Sequence, residues 1–136
     1  MDSQGEHERP RLALVIAAAM ILVAAEGDPL AGTFEGTSLC QVKASACRDE
    51  HVLYRFTPTK GRRYRIDAYK RVAGEQLFMG PIDARFDPVT RWLDGSLMSG
   101  GQSRGTVHLR LKGRHLSGDI RLPDGTLYRL IEADKH

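Results

Sequence analysis

Val107-His108-Leu109-Arg110-Leu111-Lys112-Gly113-Arg114-His115-Leu116-Ser117-Gly118-Asp119-Ile120-Arg121-Leu122 is two alternating runs broken by a single glycine step. Val107, Leu109 and Leu111 alternate with His108, Arg110 and Lys112, and Leu116, Gly118, Ile120 and Leu122 alternate with Ser117, Asp119 and Arg121. Successive strand side chains point to opposite faces, so each run has one apolar face. A two-residue loop at Gly113-Arg114 pairs Leu111 with Leu116 and Val107 with Ile120, which gathers the apolar set on one side. Glycine first in that loop suits a type II′ turn. The same register sets His108 opposite Asp119 on the outer face.

At the following corner, a two-residue Asp124-Gly125 loop would set Ile120 opposite Arg129 and mismatch the faces. A three-residue loop, Pro123-Asp124-Gly125, instead pairs Leu122 with Thr126 and Ile120 with Tyr128. Pro123 and Asp124 fit a type I turn, and Gly125 takes the left-handed position after it. Tyr128 and Leu130 are therefore expected to face inward and Arg129 outward.

The same short runs, punctuated by Gly, Pro and Asp, fill the chain from Gly32 onward, and no stretch has a sustained helical period. Candidate strands lie at about 32 to 38, 51 to 57, 62 to 71, 75 to 86, 90 to 98, 105 to 112, 115 to 122 and 126 to 132. Pro81 cannot donate to a sheet ladder, so a bend or bulge is expected near Gly80-Pro81-Ile82-Asp83. Eight strands in hairpin succession form a sandwich or an up-and-down barrel, and the barrel is favoured because closure removes exposed edges. The expected inward set is Phe34, Val52, Tyr54, Phe56, Ile66, Met79, Trp92, Val107, Leu109, Leu111, Ile120, Leu122, Tyr128 and Leu130.

Before these strands, Leu12 to Ala25 is an uninterrupted apolar run, preceded by Arg9 and Arg11. It is shorter than the roughly 20 residues that cross a bilayer and matches a secretory h-region, with Val23 and Ala25 suited to a cleavage site. Residues 1–25 are thus read as a signal peptide cut after Ala25, and 26–136 as one exported domain, secreted or periplasmic. An uncleaved anchor or a buried N-terminal helix is the alternative. Taking Arg9, Arg11, Asp2, Glu6 and Glu8 from totals of 20 basic and 17 acidic residues leaves 18 against 14, a net charge of about +4.

An oxidising compartment turns Cys40 and Cys47, the two cysteines of the chain, into a structural bridge. Their spacing is not that of a redox Cys-x-x-Cys pair, and a metal would need two further ligands. Closing so short a loop contributes about 2.5 kcal/mol by chain entropy.

The segment Leu30-Ala31-Gly32-Thr33-Phe34-Glu35-Gly36 resembles the Gly-x-Trp opening strand of lipocalin-like (calycin) barrels, with Phe34 at the Trp position. The Cys40 to Cys47 loop, Arg48-Asp49-Glu50-His51 and the closing Asp124-Gly125-Thr126-Leu127-Tyr128-Arg129 are similar to small secreted bacterial proteins of that type. The resemblance implies an eight-strand antiparallel barrel in which a basic residue near the end of the chain, Arg129, covers Phe34 and closes one end.

His115, Ser117 and Asp119 share a strand face but stand roughly 6.6 Å apart in succession, about twice the reach of a nucleophilic relay. No metal or cofactor set assembles from the histidines, and no enzyme is expected. Asp49, Glu50 and His51 form the densest ionisable cluster, and with Tyr54 and Trp92 they are the candidate ligand or partner site; the alternative is a polar loop junction in which a carboxylate satisfies backbone N–H groups. Lys60, Arg62, Arg63, Arg65, Lys70 and Arg71, interleaved with Tyr64 and Tyr69, make one strand basic. Export argues against nucleic acid there and leaves anionic glycans, lipid headgroups or plain solubility.

The leading expectation is a monomeric binding module for a small apolar or amphipathic ligand, without a stable membrane span after cleavage. An interior cavity above about 300 Å³ would favour it and a packed interior would oppose it. The alternative is an exported interaction protein such as a protease inhibitor.

Overall fold

The computed structural model describes residues 27–44 and 46–136, and the expected signal peptide lies outside the described residues. The chain forms a closed antiparallel barrel of eight strands in sequence order: β1 (Gly32–Cys40), β2 (Glu50–Pro58), β3 (Arg63–Val72), β4 (Glu75–Phe86), β5 (Trp92–Ser99), β6 (Gln102–Lys112), β7 (His115–Arg121) and β8 (Leu127–Lys135), with β8 returning to pair β1. All eight expected strands are present. β8 runs three residues beyond its expected end at 132, because Ala133 and Lys135 continue the ladder against Gly36 and Phe34 although Glu132 and Asp134 give the segment no apolar pattern.

The quoted hairpin forms in the expected register, Leu111 against Leu116 and Val107 against Ile120. Gly113 has φ +61° while Arg114 keeps a negative φ, as a II′ turn requires. The Pro123-Asp124-Gly125 turn also closes as expected, with Gly125 N donating to Leu122 O at 2.9 Å and Leu122 N to Thr126 O at 2.9 Å. One residue later the register departs. Arg121 still faces Leu127, but Ile120 faces Arg129, so Tyr128 is an extra residue in β8.

That bulge inverts every later side chain on β8. Leu130, expected inside, is exposed, while Arg129, expected outside, is buried, and Ile131 and Ala133 supply the core in its place. Two more expected core residues lie outside. Met79 is the extra residue of a bulge where Ala68 faces Gly80 and Tyr69 faces Phe78, next to Pro81 as anticipated, and it is exposed. Trp92 gives its inward place to Leu93 and stacks on His108 outside the barrel, with ring centroids 4.0 Å apart.

Strand direction gives the barrel two unlike ends. At the end where β1 begins, Leu30 plugs the core, fully buried, and Tyr64 donates its hydroxyl to Asp28 at 2.8 Å. The cation nearest the Phe34 ring there is Lys135, its Nζ 6.0 Å from the centroid and 3.0 Å from Pro29 O. The expected Phe34–Arg129 closing pair is therefore replaced by Phe34–Lys135, since Arg129 pairs opposite Cys40 at the far end of β1. The other end carries the Cys40–Cys47 disulfide and opens into the interior.

Candidate functional site

The open end is shaped by three bulges. Besides Tyr128 and Met79, β6 carries an extra Arg104, since Leu97 faces Gly105 while Met98 faces Ser103. Bulges bend a strand and re-aim its side chains, and they concentrate at barrel rims. All three extra residues line one cavity of about 250 Å³. Its apolar wall includes Ala68, Met79, Ile82, Leu97, Met98 and Ile120, and its polar groups are Ser38, Glu50, Tyr54, Ser99, Arg104 and Arg129.

β4 and β5 part at this height. Their pairing stops at Ile82 and Leu97, whereas β4 continues along β3 up to Glu75. The cavity mouth opens between the diverging hairpins, and Val72, Leu77, Phe78 and Met79 are exposed at the tip beside it.

Arg129 forms the clasp of this end. Its Nη1 donates to Arg48 O at 2.9 Å, Ser38 O at 3.2 Å and Ser38 Oγ at 3.3 Å, and its Nη2 pairs with Glu50 Oε1 at 3.0 Å. Lys70 Nζ approaches the other Glu50 oxygen at 3.4 Å. A guanidinium offers five N–H donors in a fixed fork, so one buried arginine ties β8 to β1 and to the disulfide loop. Glu50 supplies the countercharge that keeps this burial tolerable. Arg104, by contrast, forms no ion pair among the described residues.

Of the five site residues expected from sequence, Glu50 and Tyr54 reach the cavity. Burial pushes the Tyr54 phenol above its usual range, and no hydrogen bond to another described residue holds its hydroxyl. Asp49 takes the alternative role of loop junction, accepting Cys40 N at 2.8 Å. His51 points outward to Glu35, Nε2 to Oε2 2.7 Å. Glu35 also accepts His136 Nε2 at 2.9 Å and meets Arg71 at 3.4 Å. The His51 bond is the main reason its carboxyl sits below the ordinary range. Trp92 stands at the opposite, closed end of β5. Sequence reasoning set Arg129 over Phe34 at the wrong end of the barrel and missed Arg104 and Met98; the signal that places them is the bulges, of which Pro81 alone marked one.

The remaining histidines are engaged on the outer face. His108 bonds Asp94 on β5 and not the Asp119 that faces it in register. His115 Nδ1 bonds Asp134 at 2.7 Å and its Nε2 bonds Glu132, so both ring nitrogens are engaged by β8 carboxylates. Among the described residues no three His, Cys, Asp or Glu side chains converge in a metal-holding group.

No known family model matches this chain, and no curated protein does.

The Asp134 bond, then the Glu132 bond, raises the His115 pKa above 6.5. A raised folded pKa contributes stability that is complete below the unfolded value and disappears as pH rises through the folded one. An NMR titration of His115 should therefore show a midpoint above 6.5, and Asp134→Asn should bring it down. An unchanged midpoint in that variant would remove Asp134 as the cause.

Proposed function

We propose that the chain is an exported, lipocalin-like binding module whose open-end cavity holds a small amphipathic ligand. The observation that carries the reading is the cavity itself, apolar along one wall and supplied on the other with the buried Tyr54 phenol and the unpaired Arg104 at its rim. At about 250 Å³ it falls below the roughly 300 Å³ at which drug-sized pockets begin, so the expected ligand is smaller than such a molecule. Apolar carbon would lie along Ile82, Leu97 and Ile120, and an acceptor oxygen would take the Tyr54 hydroxyl. The Cys40–Cys47 bridge suits an oxidising compartment. The reading assigns no catalysis and no cofactor.

Native mass spectrometry of protein purified from its own host tests it, because a retained ligand appears as added mass. Ala68→Phe, which places a ring in the cavity beside Tyr54, should abolish that mass while circular dichroism stays unchanged. Absence of any adduct in the parent protein, together with no thermal shift from millimolar hexanoate, octanoate or octanol, would defeat the proposal.

The second reading, an exported interaction protein such as a protease inhibitor, draws on the exposed Leu77, Phe78 and Met79 along the unpaired part of β4. An unpaired apolar edge can accept a strand from another chain. An inhibitor that inserts its N-terminal segment is the less suited form of this reading, since Leu30 is spent as the plug of the closed end.

A further inference from the structure

The closed end carries a group of cations on its turns. The turns and strand termini of the closed end hold Lys60, Arg62, Arg63, Arg91, Lys112 and Arg114. None of the six forms an ion pair with a described residue; elsewhere on the barrel Arg65, Lys70, Arg71, Arg121 and Arg129 do, while Lys43, Arg48 and Arg104 at the open end do not. The acids of the closed end are hydrogen-bonded but keep their charge, and Asp87 lies within the field of Arg62. Asp28 accepts the Tyr64 hydroxyl and Leu30 N, Asp87 accepts Val89 N and Thr90 N, and Asp134 holds His115. Arg91 is half-buried with its guanidinium over the Phe86 ring, and Arg114 donates to His136 O at 2.8 Å, which leaves Lys60, Arg62, Arg63 and Lys112 exposed without an ion pair to a described residue.

Two apolar features share that end. Val89, at the tip of the Asp87–Arg91 loop, is 86% exposed, the most exposed large hydrophobic among the described residues. The chain also enters the barrel here, at Gly27 to Leu30, directly after the apolar run Leu12 to Ala25. Membrane attachment by one weak apolar anchor is marginal, and a basic patch is the usual second contribution.

We infer that the closed end is a docking surface for an anionic phospholipid bilayer, with the barrel standing end-on and its cavity turned away from the membrane. Lys60, Arg62 and Arg63 would lie at headgroup level on the same end as Val89, and the leader would deliver this same end to the bilayer during export. The inference takes the export reading as given, but it does not depend on a ligand in the cavity.

The test is vesicle flotation of the full-length chain, with phosphatidylcholine alone or with one third phosphatidylglycerol. Phosphatidylcholine measures whatever the leader contributes without charge, and the increment from phosphatidylglycerol measures the basic turns. That increment should be roughly tenfold or more at low salt, should shrink as salt is raised, and should be largely lost in Lys60→Glu/Arg62→Glu. Lys43→Glu/Arg48→Glu, an equal charge change at the open end, should alter it less than about twofold. Trp92, the one tryptophan of the chain, begins β5 at the closed end, so brominated phosphatidylglycerol should quench its fluorescence.

Equal losses in the two double variants, or an unquenched Trp92, would overturn the end-on orientation. Binding to soluble heparin with the same Lys60/Arg62 dependence, but without any phosphatidylglycerol increment, would overturn the membrane in favour of an anionic glycan. A leader that is not cleaved in the host changes only the phosphatidylcholine baseline, so failure of the export reading and failure of the docking surface are distinguishable.

Discussion

Gly36→Val is expected to lower stability by about 4 kcal/mol or more, enough to unfold a domain of this size under ordinary conditions. Gly36 sits between buried Phe34 and Ser38 on the inward face of β1 and faces Ala133 of β8. A Cβ there would lie 1.9 Å from Glu132 O and 2.6 Å from the Ala133 Cα. Both obstacles are backbone, so no rotamer change relieves them, and the closing β1–β8 ladder must open. Gly118 repeats the arrangement on β7, 2.0 Å from His108 O and 2.8 Å from the Leu109 Cα, so the effect should recur there. Inward glycines of this kind let strands coil tightly enough to close a small barrel. Gly74→Ala is the control: no atom lies within 4 Å of its added Cβ, and its cost should be the strain of φ +83° alone, about 1 kcal/mol. Urea unfolding of the three variants checks the contrast. A Gly36→Val loss no larger than that of Gly74→Ala would mean that the β1–β8 contact is slack.

The strands were readable in this sequence because alternation and turn chemistry agree at most positions. Gly113-Arg114 and Pro123-Asp124-Gly125 set both of their turns, and the disulfide followed from the spacing and from the apolar leader. The interior was less readable, for one recurrent local reason, although Trp92 lies outside on a regular ladder where Leu93 takes the core place. A bulge adds a residue without changing composition, and each one inverts the alternation beyond it. Tyr128-Arg129-Leu130 reads as two apolar residues flanking a cation, which favours Arg129 outside. The extra residue at Tyr128 reverses the assignment, and Ile131 and Ala133 take the core places. Met79 left the packed core for the rim of the cavity for the same reason. Asp49, Glu50 and His51 are adjacent in sequence, yet a strand disperses neighbours to opposite faces, so only Glu50 reached the cavity. The clasp that completes the open end comes from a residue 79 positions later in the chain than Glu50, a distance across which local pattern carries no information.

Arg129→Ala should be the second costly change, at about 3 kcal/mol. The guanidinium is almost wholly buried, and its loss removes the donors held by Arg48 O, Ser38 O and Ser38 Oγ as well as the partner of Glu50. Removing one member of a buried ion pair costs about 3 to 5 kcal/mol, chiefly through the charge left without compensation. Lys70, 3.4 Å from Glu50, supplies part of that compensation and places the expectation at the lower limit. If uncompensated charge is the cause, adding Glu50→Gln to Arg129→Ala should recover at least half of the loss, because a neutral amide tolerates burial better than a lone carboxylate. If the lost carbonyl bonds dominate, the double variant should remain as unstable as the single one. The effect should also be local. With the Arg48 and Ser38 tethers gone, the loop from Gln41 to Asp49 should exchange its amides faster under native conditions, while β5 and β6 keep their protection. Because the same guanidinium lines the cavity, Arg129→Ala should weaken any bound ligand even at temperatures where the barrel remains folded. A variant that loses less than about 1 kcal/mol would instead mark the pair as screened by solvent, as exposed ion pairs are, and would withdraw Arg129 from the role of clasp.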